Sequence, residues 1–488
     1  MSASALPGIT PVVPFPETSR RPDIQSEVRC VFDLQGPTAL RLRTSTVRER
    51  IEKLQKLRKS LIGHRDAIIA AAAEDFRRPA VEVEFTELMP VILDISHTCK
   101  HLKRWLKPHK VRPTAMMLGT EAWTRYEPRG RCLIIAPWNY PITLAFGPLV
   151  PAIASGNTVV LKTSEIAPHL SRVMVDIIRG IFSADEVAIF EGDVSTATAL
   201  LELPFDHIFF TGAPNIGKVV MQAASKHLAS VTLELGGKSP TIIDATADLD
   251  TAVKTIAWGK FINSGQTCIA PDHIYVHASV REAVVARFRE LIGQWYGQDP
   301  RSQRSNVTHI INERHTRRIA ALIDDAKALG AQVLHGGTVD LADRFIAPTL
   351  LGDVPDSAKV MEEEIFGPLL PIISFTSIDE VIASINAAPK PLALYIWSRE
   401  DATIDRVIER TSAGGTCVNH AGVHFLHHNL PFGGVNNSGI GSYNGEWGIR
   451  AFSHERAVLR TRVMLAKAFF PPYTPRIRRI VRWITEHA

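Results

Sequence analysis

One cysteine lies where its thiol could act as a nucleophile. Cys268 occurs in the segment NSGQTCIAP (residues 263–271), directly after a predicted helix, and Gly265 permits a tight turn that would present the side chain. A cysteine is nucleophilic only as the thiolate, which positive charge or a helix N-terminus favours. A cysteine buried among apolar side chains is instead a small, unreactive hydrophobic residue. The sequence leaves both interpretations of Cys268 open.

A carboxylate interrupts an apolar run. Glu234 lies in TLELGGK (residues 232–238), a predicted strand that two glycines follow. Burying a carboxylate in a strand is unfavourable unless a cation pairs with it or a raised pKa serves a general base. Lys238 is close enough in sequence to be that cation. Both interpretations, ion pair and general base, remain open.

An asparagine follows another apolar strand. Asn139 lies between Pro137-Trp138 and Tyr140-Pro141, at the end of the predicted strand CLIIA (residues 132–136). Its side-chain amide could donate hydrogen bonds to an oxygen that becomes negative during a reaction. It could equally satisfy the backbone of a turn between two prolines.

The segment FTGAPNIGK (residues 210–218) joins a predicted strand to a helix and is similar to a phosphate-binding loop, because backbone N–H groups at a helix N-terminus attract anions. Val219 follows the lysine where a P-loop has serine or threonine, and no GxGxxG pattern is present. The loop alone is weak support for a diphosphate ligand.

The surrounding sequence predicts an α/β protein. Between residues 132 and 244, the apolar runs CLIIA, NTVVLK, VAIFEG, HIFFTG, SVTLEL and TIID alternate with helix-length stretches such as 168–181 and 217–229. This alternation is typical of a parallel sheet with helical crossovers. A second α/β region over 250–431 contains predicted helices 250–261 and 281–295 and the apolar strands IYV, PIISF and ALYIW. An amphipathic pattern over 46–74 predicts one or two further helices, with the fold beginning near Ser26.

Composition excludes several classes of protein. The 488 residues carry a formal charge of +5 with scattered positive residues, so nucleic acid is not indicated. Five cysteines without a CxxC pair favour a reducing compartment. No secretory leader and no run of 18 apolar residues is found, which predicts a soluble cytoplasmic protein. The histidines at 420, 424, 427 and 428 could suggest a metal, but their glycine-rich setting argues against it, and no metal is expected.

The C-terminal residues predict an amphipathic basic helix. Ile477, Ile480, Val481 and Ile484 recur at helical spacing with arginines between them. Such a stripe usually packs on its own protein or on a partner subunit. Peripheral contact with a membrane surface is the alternative.

Taken together, these segments resemble the aldehyde dehydrogenase superfamily. The motifs, in the order found in that family, are PWNYP (137–141), LKTSE (161–165), FTG (210–212), LELGGKSP (233–240), GQTCIAP (265–271), EEIFGP (363–368) and PFGGV (431–435). The resemblance covers residues 40–460. LALYIWS (392–398) and GIGSYNGEWGIRAFSH (439–454) are similar to the class 3 branch, which acts on fatty and aromatic aldehydes.

The resemblance implies roles for residues. Cys268 is then the nucleophile and Glu234 the base, and the Asn139 side chain with the Cys268 backbone N–H forms the oxyanion hole. The residues implied in cofactor binding are Lys162 and Glu364 at a ribose, Phe366 and Trp138 near the nicotinamide, Gly212 at a close backbone approach, and Glu165 near the adenosine ribose. Because Glu165 would repel a 2′-phosphate, NAD is expected, with NADP use left open by class 3 relatives that accept both.

The implied reaction is oxidation of a medium- or long-chain aliphatic or an aromatic aldehyde to the carboxylic acid. A thioester on Cys268 would be hydrolysed by water that Glu234 activates. One alternative is a coenzyme A-acylating dehydrogenase, against which Glu234 argues. The other is a non-catalytic family member that acts as a binding protein, against which the presence of both Cys268 and Glu234 argues.

Two departures from the family pattern affect substrate and cofactor contacts. Ala213 stands where the family usually has serine, and Asn436 and Asn437 interrupt the glycine pattern after PFGG. Asparagine tolerates left-handed backbone better than most residues, so the fold should survive. Substrate preference is what these departures put in doubt.

The resemblance also implies the domain organisation and a homodimer. We expect a flexible arm (1–25), a Rossmann-like NAD(P)-binding domain (26–112 and 130–233) and an α/β catalytic domain (234–430). A small β oligomerisation segment (113–129 and 431–470) and a basic tail (471–488) complete the chain. In relatives the hairpin corresponding to 113–129 exchanges contacts between subunits.

Overall fold

The N-terminal part of the chain is helical. The computed structural model describes residues 23–114, 117–297, 301, 307–464, 467 and 469–487, so most of the expected arm lies outside the described residues. Helices α1 to α5 occupy Ile24–Leu42, Val47–Gly63, Arg65–Phe76, Ala80–Val83 and Met89–Trp105, with a π-helical turn at Glu84–Leu88. Helix α1 begins two residues before Ser26. The predicted helical stretch 46–74 is two helices, and Thr46 and Glu49 form a reciprocal capping box at the start of α2.

A small antiparallel sheet lies apart from the two large ones. Its strands are β1 (His109–Val111), β2 (Thr120–Pro128) and β18 (Ser453–Thr461), in the order β1-β2-β18. The predicted hairpin at 113–129 is therefore present, and its first strand begins four residues earlier. Strand β18 pairs with all of β2, from Ser453 opposite Pro128 to Thr461 opposite Thr120.

The predicted parallel sheet is confirmed. Strands β3 to β7 are Arg131–Ile135, Thr158–Lys162, Val187–Phe190, His207–Gly212 and Ser230–Leu235, and helices α6 to α9 between them are Pro141–Ser155, Pro168–Ile181, Val194–Leu201 and Pro214–Ser225. The short strand β17 (Gly439–Ile440) pairs antiparallel with β7, which gives the order β17-β7-β6-β3-β4-β5. Their near-continuous apolar composition reflects burial on both faces.

A second sheet has seven strands. They are β8 (Pro240–Ile243), β9 (His273–His277), β10 (Gln332–His335), β13 (Thr349–Gly352), β14 (Leu369–Phe375), β15 (Ala393–Trp397) and β16 (Gly415–Val418), in the order β10-β13-β14-β9-β8-β15-β16. The run TIID, predicted with the first sheet, is β8 of this one. It cannot extend the first sheet because β17 already pairs with the open edge of β7.

The remaining elements surround these sheets. They are α10 (Leu249–Phe261), α11 (Arg281–Tyr296), α12 (Glu313–Ala328), α13 (Lys359–Glu362), α14 (Ile378–Ala387), α15 (Asp401–Arg410), α16 (Gly445–Ala451), α17 (Pro475–His487) and a two-stranded ribbon, β11 (Val339–Asp340) with β12 (Phe345–Ile346). The predicted helices 250–261 and 281–295 are confirmed as α10 and α11. Across the described residues, no helix is long and apolar enough to cross a membrane.

The strand order of the first sheet determines where a ligand could bind. From β3 the chain proceeds to β4 and β5 on one side, and then returns to β6 and β7 on the other. Loops that leave the carboxyl ends of β3 and β6 therefore diverge and open a crevice, which is where doubly wound sheets bind their ligands. Trp138 and Asn139 follow β3, and Gly212 ends β6.

Candidate active site

Cys268 lies where two cavities meet. One cavity has an empty volume of about 720 Å³ and is lined mainly by aromatic and aliphatic side chains. The other, of about 740 Å³, occupies the crevice at the carboxyl edge of the first sheet. Cys268 and Leu144 line both cavities. A thiol at this position can contact a molecule in either one.

An unusual backbone presents Cys268. Helix α10 is followed by a turn at Ile262–Gly265 in which Asn263, Ser264 and Gly265 have φ angles of 50°, 49° and 73°. Glycine is required at the third position, because a Cβ on Gly265 would lie 2.3 Å from the carbonyl oxygen of Gly367. Two non-glycine residues in left-handed conformation persist only where neighbouring contacts hold them.

Gln266 supplies those contacts. Its Nε2 donates to the carbonyl oxygens of Asn263, at 3.0 Å, and His309, at 3.1 Å, and its Oε1 accepts from the N–H of Ile311 at 2.9 Å. The side chain is fully buried. Gln266 therefore ties the loop that presents Cys268 to the segment 309–311.

Asn139 is directed towards the same loop. Its Nδ2 donates to the carbonyl oxygen of Gln266 at 3.0 Å, which leaves its second amide hydrogen for another acceptor, and it lines the crevice beside Cys268. The Asn139 carbonyl oxygen accepts from Arg78 at 2.7 Å and from Asn263 Nδ2 at 3.0 Å. Asn139 is thus oriented by the cysteine loop itself, and it does more than satisfy a turn between prolines.

A buried ion pair supports this arrangement. Arg78 and Glu87 are fully buried, and Arg78 Nη1 lies 2.8 Å from Glu87 Oε1. Glu87 Oε2 accepts from the N–H groups of Ile142 and Thr143, at 3.1 and 3.0 Å, in the first turn of α6. The carboxylate therefore satisfies N–H groups that a helix start leaves unpaired. The pair connects α6, Asn139 and the cysteine loop.

The thiol of Cys268 is protonated in this environment. Burial, together with the negative charges of Glu364 and Glu234, raises the pKa of Cys268 to about 12. The backbone N–H groups of Cys268 and Ile269 oppose that rise by stabilising the thiolate. Formation of the thiolate therefore needs a positive charge or a proton acceptor beside the sulfur.

Glu234 has no cationic partner within the described part of the chain. Both carboxylate oxygens are buried without a hydrogen bond, and burial raises the pKa of Glu234 well above its ordinary value. Lys238, the sequence candidate for an ion pair, contacts the Asp272 carboxylate and the carbonyl oxygens of Val360 and Glu363. The ion-pair interpretation of Glu234 is therefore wrong, and the carboxyl group faces the crevice that Cys268 lines.

Aromatic rings form one wall of the crevice. Trp138 contacts the edge of Phe366 at 5.5 Å between ring centroids and the His315 ring at 5.0 Å. Phe366 has a φ angle of 47°, and Arg318 holds the backbone just before it by donating to the carbonyl oxygens of Glu364 and Ile365. Burial lowers the pKa of His315 to about 4, so its ring is neutral. His315 and Arg318 had no signal in the sequence, because helix α12 is remote from the motifs along the chain.

The crevice fits a dinucleotide. The crevice of about 740 Å³ extends along Gly212 and Gly236, where a Cβ would lie 2.5 Å from the Phe210 ring and 2.1 Å from Glu364 Oε2, so a side chain at either position would displace a group of the crevice wall. Helix α9 begins beside Gly212, and Ala213 at its N-cap makes no side-chain hydrogen bond. Pro214 has no N–H group, and those of Ile216 and Gly217 donate to the Ala213 carbonyl oxygen at 3.0 Å, so the Asn215 N–H and the positive end of the helix dipole are what α9 offers to an anion. Arg318 adds positive charge to the lining.

Two carboxylates occupy different parts of the proposed nucleotide site. Glu364 lines the crevice, its Oε1 is buried without a partner in the described residues, and burial raises its pKa to about 8. Lys162 ends β4, next to β3, and its Nζ donates to Glu165 Oε2 at 2.9 Å. Lys162 and Glu165 therefore lie on the same sheet edge but outside the crevice lining.

Comparison with known proteins decides the family. The family model described as "Aldehyde dehydrogenase family" matches residues 36–458. The chain is 39% identical over 438 residues to a 4,4'-diaponeurosporen-aldehyde dehydrogenase from Staphylococcus aureus, covering 90% of this chain and 95% of the relative. It is 40% identical over 440 residues to a dimeric NADP-preferring aldehyde dehydrogenase from Canis lupus familiaris, covering 90% and 96%. The chain belongs to the aldehyde dehydrogenase family.

A solved structure agrees with this assignment. Substrate-bound AldH from Staphylococcus aureus superposes with a TM-score of 0.89 at 38% sequence identity, covering 94% of this chain and 99% of that chain. The protein is accordingly an NAD(P)-dependent oxidoreductase, and the expected fold class is confirmed.

Asn436 and Asn437, which depart from the family's glycine pattern, lie in a loop of this aldehyde dehydrogenase that the structure describes. Asn436 has a φ angle of 56°, so asparagine does adopt the left-handed backbone there. The loop runs along β7, where Ser438 accepts the Leu235 N–H at 3.0 Å and Gly439 pairs with Glu234. Neither Asn436 nor Asn437 lines either cavity. From the histidine-rich loop, Gly422 and Phe425 line the apolar cavity, and within the described ranges no group of three potential ligands could hold a metal.

Proposed function

We propose that this enzyme oxidises a medium- or long-chain aliphatic or an aromatic aldehyde to the carboxylic acid through a thioester on Cys268. The observation that carries the proposal is the position of Cys268 between an apolar cavity and a crevice that fits a dinucleotide. Asn139 and Glu234 both line the crevice beside the sulfur. Nucleophile, hydrogen-bond donor and base are therefore available to one bound carbonyl group.

The chain's own groups supply most of the chemistry. The Cys268 thiol loses its proton to water in the crevice, Sγ bonds to the aldehyde carbon, and the carbonyl oxygen becomes an alkoxide that Asn139 Nδ2 and the Cys268 backbone N–H stabilise. An oxidised nicotinamide, held beside Trp138 and Phe366, would supply positive charge to the crevice and an acceptor for the hydride that must leave the aldehyde carbon when the C=O bond re-forms. Glu234 then takes a proton from water, whose oxygen attacks the thioester carbon and displaces the Cys268 thiolate. The carboxylic acid is released.

The apolar cavity supports the substrate class. Its aromatic lining residues are Phe85, Tyr140, Trp258, Phe425, Phe432 and Tyr443. Removing a chain of methylene groups from water into such a lining is favourable by about 0.8 kcal/mol per group. The Staphylococcus aureus relative is named a 4,4'-diaponeurosporen-aldehyde dehydrogenase.

The proposal is tested by NADH absorbance with purified enzyme. We expect NADH formation with aliphatic aldehydes, kcat/KM rising with chain length, or with aromatic aldehydes, and no turnover in Cys268→Ala. The matched control is Cys30→Ala, because Cys30 is exposed and outside both cavities. Absence of NADH with every aldehyde would refute the proposed function.

We propose NAD as the cofactor, with NADP as the alternative. Glu165 carries its charge beside Lys162, where the family places the adenosine ribose, and a 2′-phosphate there would meet a like charge. The Glu165 side chain is 40% exposed, so solvent weakens the repulsion and leaves room for NADP. The canine relative prefers NADP according to its name.

We further propose two partners and a domain division. A homodimer formed through the small β1-β2-β18 sheet is supported by the exposure of Leu459 on β18, at 57%. Contact between the tail (471–488) and a membrane surface is supported by the absence of any buried side chain in α17, within its described residues.

For the domains, we propose that the NAD(P)-binding domain comprises residues 26–112 and 130–233 and that the catalytic domain comprises residues 234–430. A cytoplasmic location is supported by the cysteines, which are all free.

A further inference from the structure

Helix α17 presents an apolar surface that is largely uncovered in the described chain, with Ile477 and Ile484 half-buried. None of its side chains is buried, and Ile480, Val481 and Trp483 are 42%, 46% and 63% exposed. Large apolar residues just before the helix are also exposed, Phe470 at 53% and Tyr473 at 74%. A contiguous exposed apolar surface of this kind marks a site of interaction.

The apolar side chains of α17 lie on one face. At about 100° per residue, Ile477, Ile480, Val481 and Ile484 fall within an arc of roughly 100°. Trp483 borders this arc. Tryptophan and tyrosine are the side chains that favour the boundary between lipid and water, and Trp483 and Tyr473 are both exposed.

The rest of the helix is strongly basic. Arg476, Arg478, Arg479 and Arg482 stand against one acidic residue, Glu486. Among the ion pairs found in the described residues, none involves these four arginines. Their charge is therefore available to an external anionic surface, and it opposes contact between two copies of α17, which would bring like charges together.

The composition of α17 suits the surface of a bilayer and not its interior. Four of the thirteen residues of α17 are arginines, and charged side chains are costly at the centre of a bilayer. A short helix with an apolar stripe, a bordering tryptophan and a basic opposite face lies parallel to the bilayer in the headgroup region. Arginine side chains then reach lipid phosphates while the stripe contacts the acyl chains.

We infer that the surface bound by α17 is an anionic phospholipid bilayer, an inference that rests on the membrane contact proposed above. The helix lies in the headgroup region with Ile477, Ile480, Val481 and Ile484 towards the acyl chains. Enzyme held there would receive apolar aldehydes at the surface in which they dissolve, in accordance with the apolar cavity beside Cys268.

The test is sedimentation of the full-length enzyme with phosphatidylcholine vesicles and with vesicles in which about a third of the lipid is phosphatidylglycerol. Each arginine near an anionic surface strengthens binding about fivefold, so Arg478→Gln, Arg479→Gln and Arg482→Gln together should weaken binding to the anionic vesicles on the order of 100-fold. The matched control replaces three arginines of other surfaces, 89%, 63% and 70% exposed, with glutamine: Arg48, Arg317 and Arg399. Turnover of a short, water-soluble aldehyde should be unchanged in both triple variants.

The vesicle experiment distinguishes binding to an anionic surface from membrane contact in general. Strong salt-sensitive binding to anionic vesicles, lost only in the tail variant, supports the inference. Equal binding to both vesicle types overturns the anionic surface and leaves the proposed membrane contact standing. Binding to neither type overturns both. A vesicle-induced blue shift of tryptophan fluorescence that is absent in Trp483→Phe would independently place Trp483 at the bilayer, and its persistence in Trp483→Phe would contradict the insertion of this helix.

Discussion

Replacing Glu234 by glutamine should separate the two halves of the reaction. Glutamine keeps the shape of the side chain and removes its ability to accept a proton from water. Attack by Cys268 and hydride loss precede hydrolysis, so the first turnover should still yield NADH. The thioester would then accumulate. Rapid-mixing measurement of NADH absorbance should show a burst equal to the active-site concentration, followed by a slow steady phase.

The size of the effect follows from the isolation of this carboxyl group. A positioned general base raises the reaction rate by about 10²- to 10⁴-fold. In the described residues, no other group hydrogen-bonds to the Glu234 carboxylate oxygens, so no second acid could replace it. We therefore expect the steady rate to fall by about 10²- to 10⁴-fold, or roughly 3 to 5 kcal/mol of barrier. In wild type, the steady rate should rise with pH as Glu234 ionises, at a pH well above the ordinary carboxyl range, because burial raises its pKa.

Two controls test the interpretation that Glu234 is the base for hydrolysis. Glu364→Gln removes the same charge from the same crevice, and it should raise the KM for NAD without producing a burst. The second control compares the stability of Glu234→Gln with that of the wild-type protein, to show that the variant folds. The raised pKa of Glu234 means that the wild-type protein loses stability as pH rises from the unfolded value near 4.5 through the folded value. Glu234→Gln should therefore be at least as stable as wild type at pH 8, by thermal unfolding. A steady rate within threefold of wild type, or a burst in Glu364→Gln instead, would refute the assignment of Glu234 as the base.

Three further changes test other parts of the site. Arg78→Met should lower the free energy of unfolding by about 3–5 kcal/mol, because it leaves the Glu87 carboxylate buried without its cation; denaturant unfolding measures this, and Glu87→Gln in the same chain should restore part of the loss. Glu165→Gln should raise the ratio of kcat/KM for NADP to that for NAD about tenfold, or 1.4 kcal/mol, by removing a like charge; an unchanged ratio would place the 2′-phosphate elsewhere. Phe425→Ala should lower kcat/KM for long-chain aldehydes about tenfold relative to short ones, by removing cavity wall, whereas Val81→Ala, 77% exposed, should change neither.

The sequence predicted the parts of the site that are local along the chain. Cys268, Glu234 and Asn139 each follow or interrupt an apolar strand or helix, and residues that leave the carboxyl ends of parallel strands converge. The strands of the first sheet were predictable for the same reason, since burial on both faces makes them continuously apolar. The helix α7 was predicted with its observed bounds.

Long-range partners were not predictable. Arg78 binds the Asn139 carbonyl oxygen 61 residues away and Asn263 Oδ1 185 residues away, and nothing in the local sequence marks such pairings. The sequence could not show whether Lys238 pairs with Glu234, for a similar reason. Four residues from Glu234, it was the nearest cation, yet the turn at Gly236 directs it to Asp272. The strand TIID was misplaced because an apolar run does not reveal which sheet edge is free.

The distribution of cations decides which buried acids are structural and which remain for chemistry. Glu87 is paired with Arg78, and its second oxygen caps α6. Burial acts most strongly on Asp272, but Lys238, His273 and Lys260 together outweigh it and hold the pKa of Asp272 below its ordinary range. Glu234 is equally buried and, within the described residues, receives neither a cation nor an N–H group. A fold that satisfies two acids and leaves the third in the crevice that Cys268 lines retains an unfavourable interaction, which supports the proposed role of Glu234 as the base.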